Sequence, residues 1–169
     1  FYVSGRAGKG FPGCTIHDAG GSTGLAILRR DGFASMDAGQ QEGMLLTRPV
    51  EFRGKHLFVN VAADQGQLTV EILDLQGQVI APFSTDNCHP IRTDQTLTAV
   101  RWNGADDLSA MAGKPVRIRF RLRNGSLYSF WITPDASGAS NGYIAGGGPG
   151  LASSTDTAGL GSRQDRAQP

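Results

Sequence analysis

The segment that most constrains this chain is VRIRFRLRNGSLYSFWIT, residues 116–133, where apolar and polar residues alternate up to Asn124-Gly125 and an aromatic-rich run follows. Alternation at period two is the mark of a strand with two different faces, and Asn-Gly between two such runs predicts a two-residue hairpin turn. The expected register sets Arg123 opposite Ser126. Val116, Ile118, Phe120 and Leu122 then share a core face with Leu127, Ser129 and Trp131. Arg117, Arg119, Arg121 and Arg123 share the other face with Tyr128, Phe130 and Ile132. Guanidinium groups beside aromatic rings suit carboxylates, sugars or a partner domain, so this second face is the leading candidate for a functional surface.

The rest of the chain extends the strand pattern. GLAILRR and FASMD flank Asp31-Gly32; MLLTRPVEF comes next; KHLFVNVAA and QLTVEILD flank a turn near Asp64 to Gly66; Gln76-Gly77 marks another turn and TLTAVRW another strand. No long amphipathic helix interrupts them, and DLSAMAG at 107–113 amounts to one helical turn at most. Short, evenly spaced strands of this kind predict an all-β fold, an antiparallel β-sandwich or jelly roll. Three regions are expected. Residues 1–23 hold the end of an upstream domain plus a linker, 24–134 the sandwich, and 135–169 a Gly/Ser-rich and largely flexible tail. FYVS reads as a strand already under way, which points to a chain cut or processed from something longer.

Composition narrows the function. With 169 residues the chain can bury one substantial core, and its formal net charge of +1, with charges well mixed, argues against a dedicated nucleic-acid binder. No apolar run approaches the ~20 residues of a membrane-spanning helix. Cys14 and Cys88, with His17 and His89, could in principle assemble a metal site, but adjacent Cys88-His89 can hardly both reach one tetrahedral ion. A disulfide closing the long loop between the two cysteines would contribute about 4 kcal/mol. Two unrelated free thiols are the default, and no metal or cofactor is expected. His56, alternating with Leu57 and Val59, is expected on a solvated strand face, with no nucleophile beside it in sequence. Trp131, sharing a face with Phe120, and Trp102, following Val100 at period two, are expected in the core.

Catalytic chemistry finds little support. Arg30-Asp31-Gly32 is explained by a turn, and Glu42, Glu51 and Glu71 are scattered, with Glu71 alternating outward. No pair of carboxylates can be argued to flank one glycosidic bond, and GxSxG, a P-loop and HExxH are all absent.

Taken together, GLAILRRDGFASMD, TRPVEFRGKHLFVNV, QLTVEILDLQGQVI, AVRWNGADDLSAMAGKPVRIRFRLRNGSLYSFW and SGASNGYIAGGGPG resemble the C-terminal portion of large bacterial proteins described as glycoside hydrolase family 32-like. The resemblance covers roughly residues 1–150. It implies a five-bladed β-propeller that carries catalysis upstream, FYVSGRAG as the end of its last blade, and residues 24–134 as the sandwich packed against it. The family's Asp nucleophile, Arg-Asp-Pro motif and general-acid Glu have no counterparts here, since Arg30-Asp31 is followed by Gly32 and lies in the sandwich. Glycosidase activity is accordingly expected of the parent protein and not of this chain.

Two functions then stand side by side, against a third reading in which the arginine and aromatic face is simply a solvated hairpin surface, with guanidinium stems covering Tyr128 and Phe130. In one, the sandwich is a non-catalytic accessory domain that packs on the propeller or extends its substrate site. In the other, it is a lectin-like carbohydrate-binding module. Arg117, Arg119, Arg121, Tyr128 and Phe130 are the candidates for docking or for glycan binding in either case. A glycosidase that meets polymeric substrate works outside the cytoplasm, which points to the periplasm or the exterior.

Overall fold

A computed structural model describes residues 2–6, 21–143 and 153–160. The chain divides into two compact units, Phe1–Phe33 and Ala34–Pro169. In the first, β1 (Tyr2–Arg6) pairs antiparallel with β2 (Gly21–Leu25), from Tyr2 opposite Leu25 to Arg6 opposite Gly21. A turn comes after β2, closed by the Gly32 N–H donating to the Arg29 carbonyl at 3.0 Å, with Asp31 at a positive φ of 49°. The turn signal is thus realised, but not as a hairpin, because β2 takes β1 as its partner.

The second unit is an antiparallel β-sandwich. Its strands are β3 (Met36–Ala38), β4 (Gly43–Leu46), β5 (His56–Ala62), β6 (Gln67–Leu73), β7 (Asp94–Ala99), β8 (Arg117–Arg123) and β9 (Gly125–Thr133). One sheet has the order β3-β9-β5-β7 and the other β4-β8-β6. Every consecutive pair of strands from β3 to β9 is therefore split between the two sheets, and the chain crosses the sandwich at each connection. DLSAMAG contributes a single 3₁₀ turn, Ser109–Met111.

This topology corrects the expected hairpin. Arg117–Arg123 and Gly125–Thr133 lie in different sheets, and Asn124-Gly125 is a corner between them. Asn124 has a φ of 43°, whereas Gly125 already belongs to β9. A side chain on Gly125 would run into the Ala62 carbonyl and into Ala63, so the glycine permits close approach to the end of β5. The dipeptide met a steric demand that reads in sequence like a turn.

The core lies between the sheets. Leu57, Val59 and Val61 of β5 meet Val70 and Ile72 of β6 and Ile118 and Phe120 of β8, all almost wholly buried. At 25 cal/mol per Å² of apolar surface, each such side chain stabilises the fold by roughly 1.5–3 kcal/mol. Phe83 meets Trp102 edge to face, with ring centroids 5.4 Å apart, and Trp102 is buried as expected. The outer edge of β6 is closed by neighbouring chain. Leu68 exchanges backbone bonds with Ile91, the Ile72 N–H donates to the Phe83 carbonyl, and the Trp102 indole N–H donates to the Val70 carbonyl. An edge satisfied in this way offers no template for another strand.

A second correction concerns β9. Its register against β5 shifts between Asn60, opposite Ser129, and Val61, opposite Leu127, so Tyr128 is the extra residue of a bulge. One extra residue reverses the faces beyond it. Leu127 points into the core, and so do Phe130 and Ile132, which pack against the central cluster. Trp131, expected inside, lies instead on the outer face, stacked on Phe58 with ring centroids 5.8 Å apart.

Candidate functional site

Each sheet has an outer face, and the two are built differently. On the three-stranded sheet, β8 presents Arg117, Arg119, Arg121 and Arg123, because its alternate residues Ile118, Phe120 and Leu122 are buried. Across from them β6 presents Gln67, Thr69, Glu71 and Leu73, in register as Gln67 to Arg123, Thr69 to Arg121 and Glu71 to Arg119. On the other side, Met44 lies opposite Arg121 and Leu46 opposite Arg119, both apolar and exposed.

Glu71 organises this face. Arg119 Nε donates to its Oε2 at 2.5 Å, Arg121 Nε reaches the same oxygen at 3.3 Å, and the Thr85 N–H donates to Oε1 at 3.4 Å. Its side chain is 7 % exposed. Burial alone pushes such a carboxyl upward, but the bonds from Arg119, Thr85 and Arg121 and the Arg119 charge outweigh it and hold Glu71 at about 2. Arg121 also donates through Nη1 to Glu42 Oε1 at 2.8 Å. The middle of the arginine row is therefore neutralised within the protein.

The end of the row differs. Arg123 Nε donates to the Gln40 carbonyl at 2.8 Å, and Arg92 Nη2 donates to Gln67 Oε1 at 2.8 Å. Neither is ion-paired among the described residues. Both line a polar cleft of about 410 Å³ together with Asp64, Gln65, Gly66, Gln67 and Asn124. The cleft sits where the β5–β6 and β8–β9 corners abut. A Cβ on Gly66 would collide with the Arg123 and Asn124 carbonyls, which locks the two corners against each other.

The outer face of the four-stranded sheet is closed. Phe58, Leu97 and Trp131 are covered by the stretch Asp135–Asn141: the Trp131 indole N–H donates to the Gly138 carbonyl at 3.0 Å, and Thr133 Oγ1 donates to the Ala139 carbonyl at 2.7 Å. Gly138 lies directly against Phe58 and Leu97. Asp156 then pins this stretch. Its carboxylate accepts from the Ser140 N–H and Ser140 Oγ at 3.2 and 3.1 Å, and from the Ala158 and Gly159 N–H groups at 3.3 and 3.1 Å. Asp156 is wholly buried. These residues come from the stretch expected to be a tail; residues 144–152 and 161–169 lie outside the described residues.

The candidates read from sequence are thus separated. Arg117, Arg119 and Arg121 lie on the outer face of one sheet, Tyr128 at the bulge of the other, and Phe130 between the sheets, with its ring 4.8 Å from that of Phe120. Arg117 Nε is buried and makes no hydrogen bond among the described residues. Glu71, expected to point outward, does so and is buried there by its arginines. Cys88 is a buried free thiol, pushed up by burial, with the Val70 N–H donating to its sulfur at 3.3 Å; Cys14 and His17 lie outside the described residues. His89 is exposed and bonded to Asn103 at 2.7 Å, and His56 is half-buried at the start of β5. No group of three metal-ligating side chains occurs among the described residues. Sequence reasoning missed Arg92, Gln67 and Asp156; Arg92 and Gln67 are distant in sequence and only the crossing topology joins them. Comparison with family models, curated proteins and solved structures finds no match for this chain.

Proposed function

We propose that this chain is a non-catalytic β-sandwich module of a larger glycoside-hydrolase-like protein, packing on a propeller domain of the same polypeptide. The observation that carries this reading is the apolar surface of the first unit. Tyr2 is 85 % exposed, Ile27 87 % and Phe33 77 %, and Val3 and Leu25 are exposed as well. Two strands alone are marginal in water, and apolar residues exposed on the ribbon (Tyr2, Val3, Leu25) and on the chain after it (Ile27, Phe33) call for a cover. Opposed residues share a face, so Tyr2 and Leu25 form one apolar cross-strand pair available to a neighbouring domain. Two carboxylates at the three-stranded sheet, Glu71 and Glu42, are bound to arginines, which suits a structural role for that pair.

The intact mass of the native polypeptide that contains this sequence tests the reading. A mass several times 17.8 kDa is expected. In that polypeptide, Tyr2→Asp with Leu25→Asp is expected to open the junction to limited proteolysis while the sandwich keeps its own melting transition. A native mass near that of this chain would overturn the proposal.

A further inference from the structure

We infer that the cleft between the β5–β6 and β8–β9 corners is a binding site for a sugar acid, a uronate unit whose carboxylate lies between Arg92 and Arg123. The inference is independent of whether the module packs on an upstream domain. It starts from a contrast along the arginine row: Arg119 and Arg121 are neutralised by Glu71 and Glu42, while Arg123 and, beside it in the cleft, Arg92 are held among the described residues by neutral oxygens. Each guanidinium is held by one bond to a neutral oxygen and makes no ion pair among the described residues, so the two cations outnumber the one carboxylate, Asp64, that lines the cleft. That is a preorganised arrangement for a carboxylate, which takes charge-assisted bonds from more than one donor.

Gln67 stands between the two. It lies opposite Arg123 in the sheet register and gives its Oε1 to Arg92, which leaves its amide N–H groups as donors on the same row. The lining of the cleft is therefore rich in donors. The same lining supplies the opposite chemistry: Asp64, which accepts from Gln65 Nε2 at 3.2 Å, is an acceptor for hydroxyl groups. Donors for one carboxylate beside acceptors for adjacent hydroxyls match a uronate better than a bare anion or a neutral hexose. The volume of about 410 Å³ holds one such ring. The frame is rigid, because Gly66 and Gly125 let the two corners interlock backbone to backbone.

Calorimetric titration of the whole chain with glucuronate, methyl glucoside and acetate tests the assignment. Glucuronate is expected to bind with a Kd of about 1 mM, and the other two at least tenfold more weakly. Arg92→Ala and Arg123→Ala are each expected to weaken glucuronate about tenfold, with the melting temperature little changed because both side chains are exposed. Binding should weaken as salt is raised. Should Arg123→Ala disturb the Gln40 contact and the fold, Arg92→Ala carries the test alone. Absence of glucuronate binding, equal binding of acetate, or binding indifferent to Arg92→Ala would each overturn the site.

Discussion

The two outer faces of the sandwich begin from the same sheet geometry and end in opposite states. The four-stranded sheet carries apolar side chains outside as well as inside, Phe58, Leu97 and Trp131, and must be covered; the chain returns over it and is pinned through Asp156. The three-stranded sheet carries arginines outside, whose charge keeps it in water except where Glu71 draws two of them inward. A face dressed in long basic side chains can remain open for a ligand, whereas a face of aromatic rings becomes a second layer of core. Aromatic content alone is therefore a poor guide to which face stays exposed in this fold, since the rings of Phe58 and Trp131 are covered and the arginine row is not.

Substitutions can break or sharpen this contrast, and the largest effect is expected at Phe130. If it packs on Phe120 between the sheets, Phe130→Ala costs about 3 kcal/mol in urea unfolding. A cost below about 0.5 kcal/mol would return it to the surface. Next comes Glu71→Gln, which leaves Arg119 and Arg121 without their buried counter-charge and is expected to cost about 3 kcal/mol at neutral pH. The sign of its pH dependence is fixed. Glu71 is lowered from 4.5 to about 2, so its contribution is fully present above the ordinary carboxyl range and is lost as pH falls from about 4.5 through about 2. The gap between wild type and Glu71→Gln should close over that window, and a gap that is constant with pH would contradict the pairing.

Asp156→Ala probes the covered face. Four donors lose one buried acceptor, and about 2 kcal/mol is expected to go with them. In a Trp102→Phe background, acrylamide should then quench Trp131 more strongly; unchanged quenching would detach the pin from the cover. The smallest effect belongs to the open face. Met44→Ser, at an exposed strand position, is expected to change stability by less than about 0.5 kcal/mol. A larger loss would mean that this face too is packed.

Much of the architecture was legible in sequence. The period-two runs identify β5, β6 and β8 closely, Gln76-Gly77 is a turn with Gly77 at a φ of 83°, and Trp102 is in the core. The candidate site was not, for two local reasons. Asn124-Gly125 carries the composition of a hairpin turn, but its glycine answers to the Ala62 carbonyl across a corner. The bulge at Tyr128 inserts one residue, which leaves no mark in the alternation yet turns Phe130 inward and Trp131 outward. Asp156 was hidden in a Gly/Ser-rich stretch whose composition reads as loose, since its role depends on backbone donors that no side-chain pattern displays.

Backbone amide shift mapping during a glucuronate titration tests the contrast between the faces most directly. The expected result is a contiguous set of perturbed signals at Gln67, Arg92, Arg123 and Asn124, with the Trp131 indole unmoved. Perturbation centred on Trp131 and Tyr128, or no perturbation at the cleft, would contradict the assignment of the open, charged face as the one that binds.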